Sequence, residues 1–419
     1  MNHDQLRILA LTSVAHFMND GLSAIFPLMF PLLATLITSN LLIAVIATVF
    51  YIFSSFASPY ATSRAEKSGN MGRGMGTGIL ILAAGTIGMG IVVAPLRVLP
   101  YVSYGLILIF AAVAGFGSSF FHPIGASLIQ STFGEEVQGF ALGTNGIAGS
   151  SGRALFSTIS AAVFLYLELS HNTYLAIVYG MVVLGFAGIV VALLVLAYFT
   201  RGKGTPARGK YTGPRSRIGI LPVVRKTWLL VLITVVRNIS GTGVFIFLPT
   251  FLISEKFSSY SLGLGFTMTI VLAGSIAGQP LFGKMSDIIG RRASLFITTI
   301  GSGLFMILFL ASTSLYPYSV VFLVLFGTFA YSGFPILLPI AYSQLTPETR
   351  ATGNSVIWAA IGSGSAAGPI ITQLLAQRGL AGSLYGSFLL LSVITVAVAF
   401  LSFAVSVKGD RRQTGKVIS

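Results

Sequence analysis

Near the start of the chain the stretch AHFMNDG, residues 15–21, sets His16, Asn19 and Asp20 among apolar side chains. Without them the run from Ile8 to Leu36 would be an ordinary membrane-spanning segment. An unpaired charge at the bilayer centre costs at least about 2.5–3.5 kcal/mol, so a carboxylate there needs a partner and a purpose. His16 lies four residues before Asp20 and shares its helical face. Histidine is the side chain that titrates nearest neutrality. His122, Arg153 and Arg237 also fall inside long apolar runs. The charge state of a buried carboxylate depends on whether its site is wet or dry and on how near an arginine stands. A carboxylate, two imidazoles and two guanidiniums at similar depth could therefore load a proton on one side of a membrane and release it on the other. Asp20 can pair with Arg153 or with Arg237. The plainer alternative is a permanent ion pair that locks helices together.

Those residues must be positioned by helices in lipid. Of 419 residues, 54% are hydrophobic and 8% charged, with a mean hydropathy of +0.90; soluble chains carry about 25% charged residues. Continuous apolar runs exclude a β-barrel, which alternates polarity. Twelve spans are expected, over 8–36, 41–62, 75–95, 101–130, 137–166, 174–200, 227–254, 260–282, 293–313, 318–344, 351–377 and 381–407. With both termini cytoplasmic, the outer loops hold only Arg97, Lys256 and Arg378, and the spans Arg153 and Arg237. The other twenty of the 25 Lys and Arg then lie inside, as positive-inside insertion requires. The net charge of +15 is thus a topology signal, set beside anionic lipid heads, and implies no nucleic acid. There is no cysteine, hence no thiol chemistry.

The segment 201–226 holds eight basic and no acidic residues and reads as a cytoplasmic linker. It separates a six-helix bundle over 1–200 from a second over 227–407, with a cytoplasmic tail at 408–419. The halves resemble each other. NDGLSAIFPLMFPLL in the first span lies against SGTGVFIFLPTFLI in the seventh, with Gly21 and Pro27 over Gly243 and Pro249. HPIGAS (122–127) matches LPIAYS (338–343), and TSRAEKSG (62–69) matches GKMSDIIG (283–290). Parallel repeats of this kind place a substrate site near the membrane midplane.

GKMSDIIGRR, Gly283 to Arg292, resembles the loop signature of the major facilitator superfamily between the second and third helices of a half. Gly283 would permit close helix approach, and Asp287 could cap the next helix. The resemblance implies that Gly290, Arg291 and Arg292 complete a cytoplasmic gate; the plainer alternative is a tight turn with a positive-inside anchor. In the first half the pattern is degraded to Thr62, Glu66 and Gly69, followed by NMGR. HFMNDG and SSFFHPIGAS (118–127) resemble motifs of the fosmidomycin-resistance-like branch, whose members are exporters thought to exchange drug for protons. That resemblance implies that helices 1, 4, 7 and 10 line the cavity. His16, Asn19, Asp20, His122, Arg237, Asn238, Tyr331 and Tyr342 would then be cavity residues, with Arg153 on the neighbouring fifth helix.

Glycines 139, 143, 146, 149 and 152 recur along one face of the fifth span, a ridge suited to close packing. The Gly-rich MGRGMGTG (71–78) lacks a Walker lysine and should open the third helix. No metal-ligand spacing or nucleophilic triad is visible among four histidines, so neither metal, cofactor nor enzymatic activity is expected. The reading is an all-α integral membrane protein, a monomeric proton-coupled secondary transporter of the plasma membrane. Its partners are protons, lipid and a small-molecule substrate. Two central arginines favour a substrate with a negative group. Export of a drug or metabolite comes first; proton-coupled uptake of an organic anion, a non-transporting receptor and a lipid scramblase are the alternatives.

Overall fold

A computed structural model describes residues 1–37, 39–200, 220–346, 349–377 and 382–407. The tail at 408–419 and the linker up to residue 219 lie outside them. The described chain is all helix: α1 (His3–Ala34), α2 (Asn40–Phe56), α3 (Ser58–Ser68), α4 (Met71–Val93), α5 (Pro100–Ser118), α6 (Phe121–Thr132), α7 (Glu135–Ser170) and α8 (Thr173–Thr200), then α9 (Ile220–Leu252), α10 (Leu262–Ile289), α11 (Arg291–Ala311), α12 (Val320–Ala330), α13 (Phe334–Gln344), α14 (Arg350–Gln377) and α15 (Leu384–Ala399). Among these residues eleven helices are long and apolar enough to cross a membrane, and twelve if α2 and α3 form one span bent by 41°. Large apolar side chains such as Val98, Ile109, Phe186 and Leu194 are exposed, the arrangement expected of a surface facing lipid.

The expected spans are matched within a few residues, with three differences. The second span bends after Phe56 rather than running straight. The seventh begins at Ile220, inside the expected linker. The signature segments are mostly helical: Gly283–Ile289 finishes α10 and Thr62–Ser68 finishes α3, so only Gly290 and Gly69 make the turns. Both have φ in the left-handed region, +90° and +69°, which a side chain would resist. Asn70, not an acidic residue, caps α4, accepting from the Arg73 amide at 3.0 Å.

Two compact units emerge, Met1–Tyr211 with Ile246–Ile270, and Thr212–Phe245 with Val271–Ser419. In the first, α1 packs along α7, and α4 along α8. Besides the bent second span, each unit contains one span interrupted between two helices. The fourth breaks at Ser119–Phe120, between α5 and α6; the tenth breaks at 331–333, between α12 and α13. In both a proline follows closely, Pro123 and Pro335, and removes a ladder donor. At the break in the fourth span serine hydroxyls supply replacements. Ser119 Oγ donates to Phe116 O at 2.7 Å, and Ser58 Oγ to Ser119 O at 3.3 Å.

Candidate functional site

Five polar residues from three helices, α1, α6 and α7, converge in the first unit. Asp20, 3% exposed, sits mid-way along α1. Arg153 of α7 donates from Nη2 to Asp20 Oδ2 at 2.6 Å. This decides the pairing that the sequence leaves open: Asp20 belongs to Arg153. Asn19 Nδ2 donates to the other oxygen, Oδ1, at 3.1 Å. His16 Nε2 stands 3.6 Å from Oδ2, and His122 Nε2 3.6 Å from Oδ1. Tyr51 of α2 is near enough to interact electrostatically with both Asp20 and Arg153.

The first helix can hold His16 there because α7 comes unusually close. A Cβ on Gly149 would overlap the His16 ring, and one on Gly152 would collide with the Phe17 carbonyl. The expected glycine ridge therefore works at these two positions; Gly139 and Gly143 face open space. His16 Nδ1 meets the Asn145 backbone oxygen at 2.8 Å and its side-chain Oδ1 at 2.9 Å. The ring stacks on Phe121 with centroids 4.4 Å apart, and His122 stands edge-on to it at 5.3 Å. Asn145 and Phe121 were not singled out by the sequence reading. Asn145 sits between the glycines of the ridge, and Phe121 immediately precedes His122, so spacing alone held the clue.

The reactive atoms of His16, Asp20 and His122 all lie within 4.8 Å of one another, closer than sequence spacing suggested. The carboxylate charge already meets the Arg153 guanidinium, so the arrangement suits movement of a proton better than capture of a metal ion. Two imidazoles flanking one carboxylate can exchange a proton with it after shifts of well under 1 Å.

Arg237 and Asn238 do not join this group. Arg237, 7% exposed, is in the second unit and donates to Thr298 Oγ1 (3.0 Å), Thr299 Oγ1 (2.8 Å) and Phe329 O (3.2 Å). The last is a carbonyl that the break after α12 leaves without its helical partner. Tyr331, at the same break, donates to Gly241 O at 3.0 Å, so α9 grips the break from two sides. Asn238 Nδ2 donates to Thr234 O of its own helix, and Tyr342 is half-buried on α13.

Of the expected gate residues, Gly283 is not a close-approach glycine: an added Cβ would touch Pro335 at an ordinary 3.6 Å. Asp287 is exposed on the last turn of α10. Arg291 Nη1 donates to Pro339 O at 3.0 Å, and Arg292 Nε to Val405 O at 2.7 Å. The Glu66 side chain lies outside the described residues.

The family model described as Major Facilitator Superfamily matches residues 9–264 and again 230–417. The chain belongs to the major facilitator superfamily. This major facilitator is accordingly a multi-pass membrane protein and a secondary transporter rather than an enzyme. It is 30% identical over 132 residues to a protein of Haemophilus influenzae named "Putative metabolite transport protein", a match that spans 31% of each chain. Its fold is similar to that of the xylose transporter XylE from E. coli in an inward-open conformation, with a TM-score of 0.74, 13% identity and 97% of each chain covered. A bacterial homolog of the human lysosomal transporter Spinster, inward-facing and unoccupied, gives 0.69 at 16% identity, covering 97% of this chain and 98% of that one.

Proposed function

We propose that the protein is a proton-coupled transporter that works by alternating access between two six-helix bundles and moves a small organic molecule, first of all by export. The observation that carries this reading is the cluster of His16, Asp20, His122 and Arg153. A lock would need only the Asp20–Arg153 pair; two histidines at 3.6 Å from the same carboxylate add titratable capacity that a lock has no use for. Among the charged side chains of the described spans this carboxylate is the deeply placed acid, and such intramembrane acids mark proton pathways. Export, and the fosmidomycin-resistance-like branch, rest on the resemblance of HFMNDG and SSFFHPIGAS. We place the protein in the plasma membrane as a monomer, and both its termini in the cytoplasm on its positive-inside charge. The signature segments, Glu66 and Gly69 in one half and Gly283, Asp287, Gly290, Arg291 and Arg292 in the other, are assigned to the cytoplasmic gate. Tyr331 and Tyr342 are assigned to the substrate path.

One feature favours uptake as the second reading. An anionic substrate group drawn to Arg153, whose side chain is 36% exposed, would compete with Asp20 for the guanidinium. Asp20 would then be left to take a proton, so anion and proton would travel together. Two buried amide atoms beside the cluster, Asn19 Oδ1 and Asn145 Nδ2, have no hydrogen-bond partner among the described residues, and buried polar atoms are rarely left so. They supply an acceptor and a donor for a bound molecule.

The test is proton flux in proteoliposomes under an imposed pH gradient, with organic anions and hydrophobic drugs screened against wild type and Asp20→Asn. Substrate-dependent flux in wild type that vanishes in folded Asp20→Asn supports the reading, and the direction of substrate movement separates export from uptake. Undiminished coupled flux in Asp20→Asn would make Asp20 structural.

A further inference from the structure

The cluster is not symmetric about its carboxylate, and the asymmetry assigns separate roles to its histidines. A backbone carbonyl can only accept a hydrogen bond. His16 Nδ1, 2.8 Å from Asn145 O, therefore carries a hydrogen in every protonation state that keeps this contact. The nitrogen that gains or loses a proton is Nε2, the one that faces Asp20 Oδ2. The ring has no room to turn away. Phe121 covers one face, and the Cα of Gly149 lies where any side chain would strike it. His122 is differently placed. Its side chain is 42% exposed, against 13% for His16 and 4% for Asp20, and it opens α6 just after the break in the fourth span. The chargeable groups facing the carboxylate are His16 on its own helix, His122 on α6, Arg153 on α7 and Tyr51 on α2.

We propose that His122 is the access group that takes the proton from outside the cluster, and that His16 Nε2 is the inner site that stores it. Asp20 is the bridge between them. The proton leaves His122 Nε2 for Asp20 Oδ1, returning His122 to neutral imidazole. A turn of the carboxyl about its χ2 angle carries it to His16 Nε2. His16 becomes an imidazolium with hydrogens on both nitrogens, and Asp20 returns to a carboxylate bonded to Arg153. No proton is created or lost between the three groups, and Arg153 keeps its own throughout. This deepens the proton-coupling reading and rests on it.

The chain has only four histidines, His3, His16, His122 and His171, so their ring nitrogens can be assigned by single replacement. The measurement is 15N NMR of histidine-labelled full-length protein in lipid nanodiscs, titrated with protons alone. His16 should show its hydrogen fixed on Nδ1, with Nε2 titrating. His122→Gln should leave that tautomer in place but slow proton exchange at His16 by about 10²-fold, the scale of a lost general acid–base step. Asp20→Asn should uncouple the two rings. The proposal is overturned if His16 carries its neutral hydrogen on Nε2, or if exchange at His16 is as fast in His122→Gln as in wild type. Asn145→Ala is the second variant: it removes the side-chain Oδ1 but keeps the backbone carbonyl, so the hydrogen should stay on Nδ1 while the protein stays folded. The flux assay above fails or succeeds separately. A relay seen by NMR in a protein whose flux ignores Asp20→Asn would overturn proton coupling and leave the relay standing.

Discussion

The crossing of α1 with α7 and the crossing of α9 with α14 are built to one plan and filled with opposite chemistry. In the first, Gly149 meets His16 and Gly152 meets the Phe17 carbonyl. In the second, Gly364 meets Asn238 and Gly368 meets the Ile239 carbonyl, the positions that the alignment of Gly21 with Gly243 makes equivalent. Backbones approach closely at both because small residues allow it. Yet Asp20 of the first corresponds to Thr242 of the second. There Thr242 Oγ1 donates to Ser365 Oγ at 3.2 Å, a neutral contact where the first half has an ion pair. Arg237, one turn away, is satisfied by hydroxyls and a carbonyl alone among the described residues. One half fills the crossing with an ion pair, and the other with a neutral hydroxyl contact.

The ion pair is where the comparison can be broken most sharply. Arg153→Met leaves the Asp20 carboxylate buried with Asn19 and no full charge partner. Breaking such a pair costs about 3–5 kcal/mol, and the lower end is expected because about a third of the Arg153 side chain is exposed. Asp20→Asn/Arg153→Met removes both charges and should recover most of that loss, measured by thermal unfolding in detergent. Thr242→Val, at the matching position, forfeits one neutral hydrogen bond and should cost about 1 kcal/mol. If Thr242→Val were as damaging as Arg153→Met, the two crossings would not differ in kind.

The shared backbone geometry gives a second, smaller contrast. Gly152→Ala and Gly368→Ala each press a Cβ onto a carbonyl of the facing helix, which has no rotamer to yield. Each should destabilise by about 1–3 kcal/mol, and by similar amounts if the crossings are equivalent. Gly143→Ala is the control. It faces open space and should stabilise by up to about 1 kcal/mol through helix propensity. Chemical denaturation of the three variants reads all of this directly.

Much of this was legible in residue types. Twelve apolar runs, a basic linker and paired motifs at matching offsets imply the helices and their repeat, because a bilayer demands one kind of element at one length. The depth of Asp20, His16, His122 and Arg153 could be counted along their helices. What could not be counted was rotation. Arg153 and Arg237 lie at comparable depth, and only the faces that α7 and α9 turn inward decide that one meets Asp20 and the other meets Thr298 and Thr299. Asn145 was hidden for the same reason: an asparagine among glycines has no signature until a histidine is found opposite it. Gly283 misled in the other direction, since a signature glycine suggests contact and here finds ordinary spacing.

The turns between the second and third helices of each half offer the finest test of the same contrast. Beyond Gly69, Asn70 caps α4 and donates from Nδ2 to Phe199 O at the end of α8, 2.9 Å away. Beyond Gly290, Arg292 donates to Val405 O, just past α15, at 2.7 Å. Each half thus ties the start of its third helix to the end of its sixth, once through a neutral amide and once through a guanidinium. Asn70→Ala should cost about 1 kcal/mol, the value of an N-cap. Arg292→Gln should cost a similar amount if the tie is a plain hydrogen bond, or about 1.5–3 kcal/mol if its charge contributes. Raising salt separates these, because a charged tie near the head groups weakens as salt screens it, whereas the loss in Asn70→Ala should be indifferent to salt. A salt-dependent difference confined to Arg292→Gln would place the charge of the second turn, and not only its geometry, in the stability of that half.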